Sequence, residues 1–374
     1  MDLLSVAINT ARKNGLHKID SYSDSDSILP PFETEMRRRI WWQLYTLDVR
    51  NAEDNGLDPY IQEHWANTLP RLPRSINDIS LHPEMRRIPQ SSLERTEMLF
   101  TLDRHEISTL VRRILFSDEF CQQNFYPILS VAEKCDEIER FRTKIEDQIL
   151  SLCNLDIPID YITATSSRLV FAKLKLSVTK PTTRENQHVI TQESFRRTCV
   201  DILKSTRELR LYENGKQWLW LFQTYLEWDA LAYLFINLSL VPSGDTVNCA
   251  WIAAEDIYQY WKGHGEVVLD NRWRQIENLR SQALLGKQMY QENPASFPPW
   301  PRSSCEERPD TVQPNEQGLP STVLVSNILE PNPNADALDV PVPTTGTECQ
   351  WSTALFDRYF QVLDMDHNME LSWL

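Results

Sequence analysis

Glycine is scarce in this sequence and its cysteines are never close together, so several kinds of site are excluded at once. Nine glycines in 374 residues supply no Gly-x-x-x-x-Gly-Lys or Gly-x-Gly-x-x-Gly loop for phosphate, and no Gly-x-Ser-x-Gly nucleophile elbow. The seven cysteines lie at least fourteen residues apart, which excludes a zinc cluster built from neighbouring ligands. Their odd number and wide spacing indicate reduced thiols in a cytosolic or nuclear protein.

Positive charge is also lacking. The chain has 38 Lys and Arg against 53 Asp and Glu, for a formal net charge of -15. Proteins that bind duplex DNA directly need a basic surface to neutralise phosphates, so this chain is a poor candidate for direct DNA contact. Twelve acidic and three basic residues fall between 301 and 374, and this segment therefore carries -9 of the total.

A long apolar run without charges is missing as well. The most apolar stretch, Trp218 to Leu240, contains Glu227 and Asp229 near its centre, where charges are costly in a bilayer. We therefore interpret this stretch as a buried helix and predict no association with a membrane. The residues after Met1 also lack the basic segment and the apolar length of a signal peptide.

The sequence is rich in helical periodicity. Apolar residues recur at steps of three and four with charges between them, most regularly from 128 to 153. Five prolines between 57 and 90 exclude long helices there and predict an extended surface connection. We predict an all-α fold, with an irregular multi-helix domain over residues 1–292. Its helices are expected before Gly15, at 33–55, 93–116 and 128–153, from Pro158 to Pro181, and at 191–213, 217–240, 245–262 and 270–290.

The last eighty residues have a different composition. Residues 293–346 are rich in Pro, Ser and Asn without sustained periodicity, which predicts a disordered linker. Residues 347–374 combine acids with aromatics and form a possible activation segment that folds in a coactivator groove. Alternatively, a helix over 351–363 packs back on the domain, and the two states can alternate. The aromatic residues of this segment are Trp351, Phe356, Tyr359, Phe360 and Trp373.

Several segments occur in an order seen in a known family. Among their residues are Arg37, Arg38, Trp41, Trp42 and Asp48 in one continuous segment, then Pro73, Asn77 and Asp78, and later Arg168, Lys173, Trp220 and Trp228. Over roughly residues 1–290 this order resembles the fungal-specific transcription factor domain, the middle homology region of fungal binuclear zinc-cluster transcription factors. The later segments resemble a subgroup often linked to secondary-metabolite gene clusters. Two positions depart from the family pattern, because Glu227 stands where Gln is common and Asp229 where His is common.

The resemblance implies a nuclear transcription regulator and not an enzyme. Its partners would be coactivators or the transcription machinery, and it would form a homodimer or a heterodimer with zinc-cluster factors. Zinc would be bound only in an upstream module that is missing here, so DNA would be reached through that module or through a partner. The domain itself looks truncated at its amino terminus. Two other hypotheses remain: a modulator without DNA binding that pairs with a full-length zinc-cluster factor, and an enzyme on a helical scaffold.

Within the motifs, two sets of side chains have alternative interpretations. Three consecutive arginines, Arg37 to Arg39, suggest a phosphate-binding or nuclear-localisation patch, or else ion pairs with acids such as Asp48 and Glu35 that join neighbouring helices. The tryptophans suggest either a ligand pocket or plain core packing. No pattern of His, Cys or acids predicts a metal site, and we identify no catalytic residue.

Overall fold

The computed structural model describes residues 3–21, 29–65, 69–181, 189, 192–221, 227–244, 246–263 and 271–292. These ranges contain helices and irregular connections but no β-strand, so the predicted all-α fold is confirmed. The α-helices are α1 (Leu3–Lys13), α2 (Pro31–Asn55), α3 (Leu99–Ile114), α4 (Asp118–Gln123), α5 (Val131–Gln148), α6 (Pro158–Thr179), α7 (Glu193–Leu211), α8 (Trp228–Leu240), α9 (Val247–Lys262) and α10 (Asn271–Glu292). Short 3-10 helices span Leu16–Ser21, Glu63–Trp65, Asp78–Ser80, Leu150–Leu152 and Glu213–Leu221.

Two hydrophobic cores share helix α6. The amino-terminal core is built from α1, α2, α3 and α5, and the carboxy-terminal core from α7 to α10. Because residues seven apart lie on nearly the same side of an α-helix, Ile162, Leu169 and Leu176 of α6 all pack into the carboxy-terminal core. Ala164 and Phe171, two residues further along, enter the amino-terminal core. Helix α6 therefore joins the two halves of the domain.

Local sequence signals explain where the helices begin and end. Helix α2 starts with Pro31 at a position where a backbone N–H would have no helical partner, and it ends at Gly56 in the left-handed conformation at φ 61°. Helix α5 starts with a complete capping box, because the Ser130 side chain accepts from the Glu133 N–H and the Glu133 carboxylate accepts from the Ser130 N–H. Pro158 opens α6 as predicted.

Three helix predictions are wrong in extent and one helix was missed. The predicted helix at 217–240 is interrupted, because a 3-10 helix ends at Leu221 and α8 begins only at Trp228. Helix α3 begins at Leu99 instead of residue 93, and α5 spans Val131–Gln148 instead of 128–153. Helix α4 was not predicted, since six residues are too few to display a period.

The proline-rich connection has the predicted character. The described residues of 57–65 and 69–98 form irregular connections with bends and turns, and two 3-10 helices of three residues each. Buried contacts at Ile61, Pro73 and Ile76 nevertheless attach it firmly to the helical body. No helix among the described residues is long and apolar enough to cross a membrane. The segments 293–346 and 347–374, including all five aromatic residues of the possible activation segment, lie outside the described residues.

Candidate functional site

The three consecutive arginines of α2 each pair with an acid of the same domain. Arg37 binds the Glu33 carboxylate at 2.6 Å, Arg38 lies 3.6 Å from Glu35, and Arg39 binds Asp78 at 2.6 Å. Glu35, one of the two acids considered, does pair with an arginine, but within α2 and not between helices; Asp48, the other, pairs with Arg112 of α3 instead. These arginines stabilise the fold and form no common patch for phosphate.

Helix α2 also holds the segment that carries Pro73, Asn77 and Asp78. The buried Glu35 carboxylate accepts from the backbone N–H of Arg74 at 2.9 Å. Beyond the buried Pro73, the Asn77 side chain accepts from the Glu97 N–H, and the Glu97 carboxylate accepts from the Asp78 N–H, both at 3.0 Å. These three side chains therefore provide hydrogen-bond acceptors for backbone N–H groups that have no partner in a helix or sheet.

Two adjacent tryptophans of α2 lie in the amino-terminal core. Trp41 and Trp42 are each 2% exposed, and the Trp42 indole N–H donates to the backbone oxygen of Arg71 at 2.9 Å. The Trp42 ring packs against Tyr45 and His105. Core packing, and not a ligand pocket, is the role that the structure gives these two residues.

Asp48 pairs with a buried arginine of α3 that sequence reasoning did not single out. Arg112 is fully buried, donates to the Ile61 carbonyl at 2.5 Å and lies 3.6 Å from the Asp48 carboxylate. The same carboxylate accepts from the N–H groups of Tyr60 and Ile61 at 3.0 and 2.8 Å. Burial raises the pKa of Asp48, against these hydrogen bonds and the nearby Arg112. The pair fixes the start of the proline-rich connection.

A second buried polar pair lies at the start of α8. Arg210 donates to the Glu227 carboxylate, with a distance of 2.9 Å from Nη2 to Oε2, and the Trp261 indole N–H donates to the same carboxylate at 3.1 Å. Glu227 is 2% exposed, so the glutamate that stands where the family commonly has glutamine forms its hydrogen bonds in the core. Asp229, the other position that departs from the family pattern, is exposed.

The remaining motif residues are separated from one another. Arg168 forms a two-point ion pair with Glu146 at 2.8 and 2.9 Å on the surface. Trp228 is buried in the carboxy-terminal core beside Trp261 and Trp273. The side chain of Trp220 lies outside the described residues.

Lys173 lines a cavity of about 630 Å³ between the two halves of the domain. The lining comes from the end of α2, the loop around Phe116, one side of α6, and the start of α8. No tryptophan is among its lining residues, so this cavity is not the tryptophan pocket that was considered as an alternative to core packing. Its polar residues are Glu53, Asp58, Ser117, Lys173, Ser177, Lys180, Glu227 and Asp229.

Two buried titratable groups of α3 are not signalled by any motif. Burial raises the pKa of Asp103 to about 7, although the Ser167 hydroxyl donates to it at 3.0 Å. Burial lowers the pKa of His105 to about 3, which keeps the ring neutral beside the Thr46 hydroxyl at 2.8 Å. Both groups are buried and each is hydrogen-bonded to a neighbouring hydroxyl, so we interpret them as internal polar contacts. No group of three or more His, Cys, Asp or Glu side chains suited to a metal occurs in the described part of the chain.

The cysteines of the described ranges are all unpaired. Cys121 and Cys199 are buried, Cys135 and Cys153 are half-buried, and Cys249 is exposed. Burial raises the pKa of Cys153 to about 12 and that of Cys199 further. Since the thiolate is the reactive form, these two thiols behave as small core side chains.

Comparison with known proteins finds a family model that matches the amino-terminal part of the chain. Residues 1–155 match the fungal specific transcription factor domain. The chain is 29% identical over 272 residues to the aurofusarin cluster transcription factor aurR2 of Gibberella zeae, covering 69% of this chain and 38% of that protein. It is 26% identical over 310 residues to the pyriculol/pyriculariol biosynthesis cluster transcription factor 1 of Pyricularia oryzae. This match covers 76% of this chain and 38% of that protein.

A further relative matches over fewer residues than these two but has a higher sequence identity. The C6 finger domain transcription factor hasF of Aspergillus fumigatus is 32% identical over 175 residues, or 42% of this chain and 22% of that protein. The chain thus spans less than two fifths of the length of the relatives it matches. No solved structure matches it.

Proposed function

We propose, on the premise that residues 1–155 belong to the fungal specific transcription factor domain, that this chain regulates transcription of a biosynthetic gene cluster in the nucleus. Two of the relatives are named as transcription factors of such clusters. The observation that carries the proposal is the match itself, because it covers the segments that pack around α2. The regulated genes would be those of a secondary-metabolite pathway.

The helical domain would act as a scaffold for contacts with other macromolecules and would perform no chemistry. The charged motif residues of α2 are engaged with Glu33, Glu35 and Asp78, which leaves recognition to surfaces built upon that scaffold. Residues 347–374 would contact coactivators or the transcription machinery through their acidic and aromatic side chains. Zinc and DNA would be bound by a segment outside this chain or by a partner.

Deletion of the gene in the organism that carries it tests the first part of the proposal. Transcripts of the neighbouring biosynthetic genes should change at least severalfold, and a copy expressed elsewhere in the genome should restore them. A copy with Arg112→Met, expected to be unstable, serves as the negative control for rescue. Unchanged transcripts under conditions in which the cluster is active would refute the proposal.

The tail is tested separately by fusing residues 347–374 to an unrelated DNA-binding domain with a reporter gene. We expect activation, and we expect its loss when Phe356, Tyr359 and Phe360 are replaced by Ala. An inactive wild-type fusion would contradict the activation role. A fusion that is active only when residues 1–292 are absent would support packing of the tail on the domain.

A second candidate function is a modulator that pairs with a full-length zinc-cluster factor. It is favoured by the acidic balance of the chain, which is unsuited to DNA contact. In that case the tagged protein would copurify with a zinc-cluster relative, and its target genes would change only when that relative is present. Regulation that is independent of every such relative would exclude the modulator.

A further inference from the structure

An exposed apolar segment joins α4 to α5. Residues 125–132 read Phe-Tyr-Pro-Ile-Leu-Ser-Val-Ala, with a single serine among apolar and aromatic residues. Its exposed members are Phe125, Pro127, Ile128, Val131 and Ala132, which we call the α4–α5 patch. Phe125 is 85% exposed, Val131 58% and Ile128 48%. Because they lie within eight consecutive residues, these side chains share one region of the surface, as at sites that contact another molecule.

Phe125 has a backbone conformation that glycine normally adopts. Its φ is 61°, and no other residue except glycine has a positive φ in the described ranges. The Phe125 N–H donates to the Gln122 carbonyl at 3.1 Å, and the Tyr126 N–H donates to the Cys121 carbonyl at 2.8 Å. This is the hydrogen-bond pattern of a helix end that a left-handed residue closes. A bulky side chain is disfavoured there, and strain of this kind is typical of functional positions.

The residues on both sides of Phe125 are attached to the domain. Asn124 is buried, its amide donates to the Phe120 carbonyl at 2.9 Å, and its oxygen accepts from the Glu63 N–H at 2.6 Å. The Tyr126 hydroxyl donates to the Glu63 carboxylate. The Phe125 ring is therefore held toward solvent by a hydrogen-bonded support, which reduces the entropy lost when a partner covers it.

The charges that flank the α4–α5 patch are mostly negative. From residue 118 to 136 the chain has one cation, the half-buried Lys134, and four exposed acids: Asp118, Glu119, Glu133 and Asp136. Glu133 also caps the start of α5. Among the residues that the structure describes, no ion pair joins any of these four acids to a cation. An apolar surface with such a border favours a cationic partner, because like charges across an interface are repelled.

We propose that the α4–α5 patch binds a cationic amphipathic helix of another protein, with Phe125 as its central anchor. The apolar side of that helix would cover Phe125, Ile128 and Val131, and its Lys or Arg side chains would lie against the flanking acids. Charge disfavours the two other occupants. A second copy would bring the same four acids face to face, and residues 347–374 contain five acids against one arginine.

Fluorescence anisotropy with the full chain at low ionic strength tests the proposal. The probe is a fluorescein-labelled peptide with two repeats of Leu-Lys-Lys-Leu-Leu-Lys-Leu, and in the control peptide Glu replaces every Lys. We expect saturable binding of the cationic peptide, at least tenfold tighter than that of the anionic one. Similar affinities for the two peptides would overturn the charge selection. The measurement needs no DNA, so its outcome is separate from that of the gene-deletion test.

A matched pair of variants separates docking on Phe125 from general attraction to an acidic protein. Phe125→Asn should weaken binding of the cationic peptide at least fivefold, because it removes the ring and tolerates the left-handed conformation. Its midpoint of thermal unfolding should be no lower than that of the wild type, which excludes a loss of fold. Ile79→Asn, at a residue 93% exposed outside the patch, should leave binding unchanged. Equal binding by wild type and Phe125→Asn would refute the proposal.

A second pair of variants tests the flanking acids. Glu119→Gln combined with Asp136→Asn should weaken binding of the cationic peptide severalfold. The control combines Asp147→Asn with Asp156→Asn, two exposed acids at or beyond the other end of α5, and should have no effect. Equal losses in the two double variants would show attraction to the total charge and contradict the proposal. Dimerisation of the chain that Phe125→Asn abolishes would instead identify a second copy as the occupant.

Discussion

Replacing Asp103 with Asn should make the protein more stable at neutral and alkaline pH. Asp103 is 2% exposed, and the Ser167 hydroxyl is its hydrogen-bond partner at 3.0 Å. Burial raises its pKa from 3.8 to about 7, so ionisation is disfavoured in the folded protein. An Asn at this position keeps the oxygen that accepts from Ser167 and removes the buried charge.

The sign and size follow from the two pKa values of Asp103. Because the folded value is the higher one, the contribution of Asp103 to stability is fully present below about pH 4 and is lost as pH rises through 7. Each pKa unit corresponds to about 1.4 kcal/mol, so the shift sets an upper limit of about 4 kcal/mol. We expect Asp103→Asn to gain about 1–4 kcal/mol in free energy of unfolding at pH 8, and to gain progressively less toward pH 5.

The assay is urea denaturation followed by circular dichroism at 222 nm between pH 5 and 8. Asp136→Asn, on the exposed side of α5, is the neutral control. Asp160→Asn is a control for which the opposite sign is expected. Asp160 is as buried as Asp103, but its carboxylate accepts two hydrogen bonds from Arg95 at 2.6 and 3.0 Å. Loss of this carboxylate should lower the free energy of unfolding by about 1–3 kcal/mol. If Asp103→Asn were destabilising at pH 8, or if its effect did not change with pH, the reasoning would be refuted.

Three other predictions concern the same domain. Arg112→Met should lower the free energy of unfolding by about 3–5 kcal/mol, because it leaves the buried Asp48 without its counter-charge, and adding Asp48→Asn should recover part of the loss. No recovery in urea denaturation would argue against the pair. Ser130→Ala should cost about 1 kcal/mol by removing the α5 capping box, and a change within error would contradict that role. The exposed Cys249 should react with iodoacetamide well before the buried Cys199 does, as followed for each thiol by mass spectrometry; equal rates would show that the core opens readily.

Sequence reasoning succeeded where the signal was local. Gly56 and Pro158 mark the end of α2 and the start of α6, since each has a backbone property that no neighbour can override. The start of α8 at Trp228 was not predicted, because the stretch from Trp218 to Leu240 is largely apolar and periodicity alone cannot locate a helix start within such a run.

The sequence predicted structural roles for the motif residues, but it did not predict most of their partners. Glu35 was expected to pair with the arginines of α2. The pairing of Asp48 with Arg112 was not expected. The one sequence signal for a buried Arg112 was its position, as a basic residue, on an apolar helical face. The two residues are 64 positions apart in the chain, and nothing in local spacing relates them. Pairings of this kind arise only when two helices are packed together.

The sequence alone determined the all-helical class, the extent of the proline-rich connection and the family resemblance, because periodicity, proline and ordered motifs are properties of the chain itself. Tertiary structure decided that α6 is shared by two cores, that Trp41, Trp42 and Trp228 are buried in those cores, and that Lys173 lines a cavity between them. Burial and electrostatic environment depend on which helices meet, and residues distant in sequence set both. The shifted pKa values of Lys173 and Asp103 are therefore a consequence of how the helices pack.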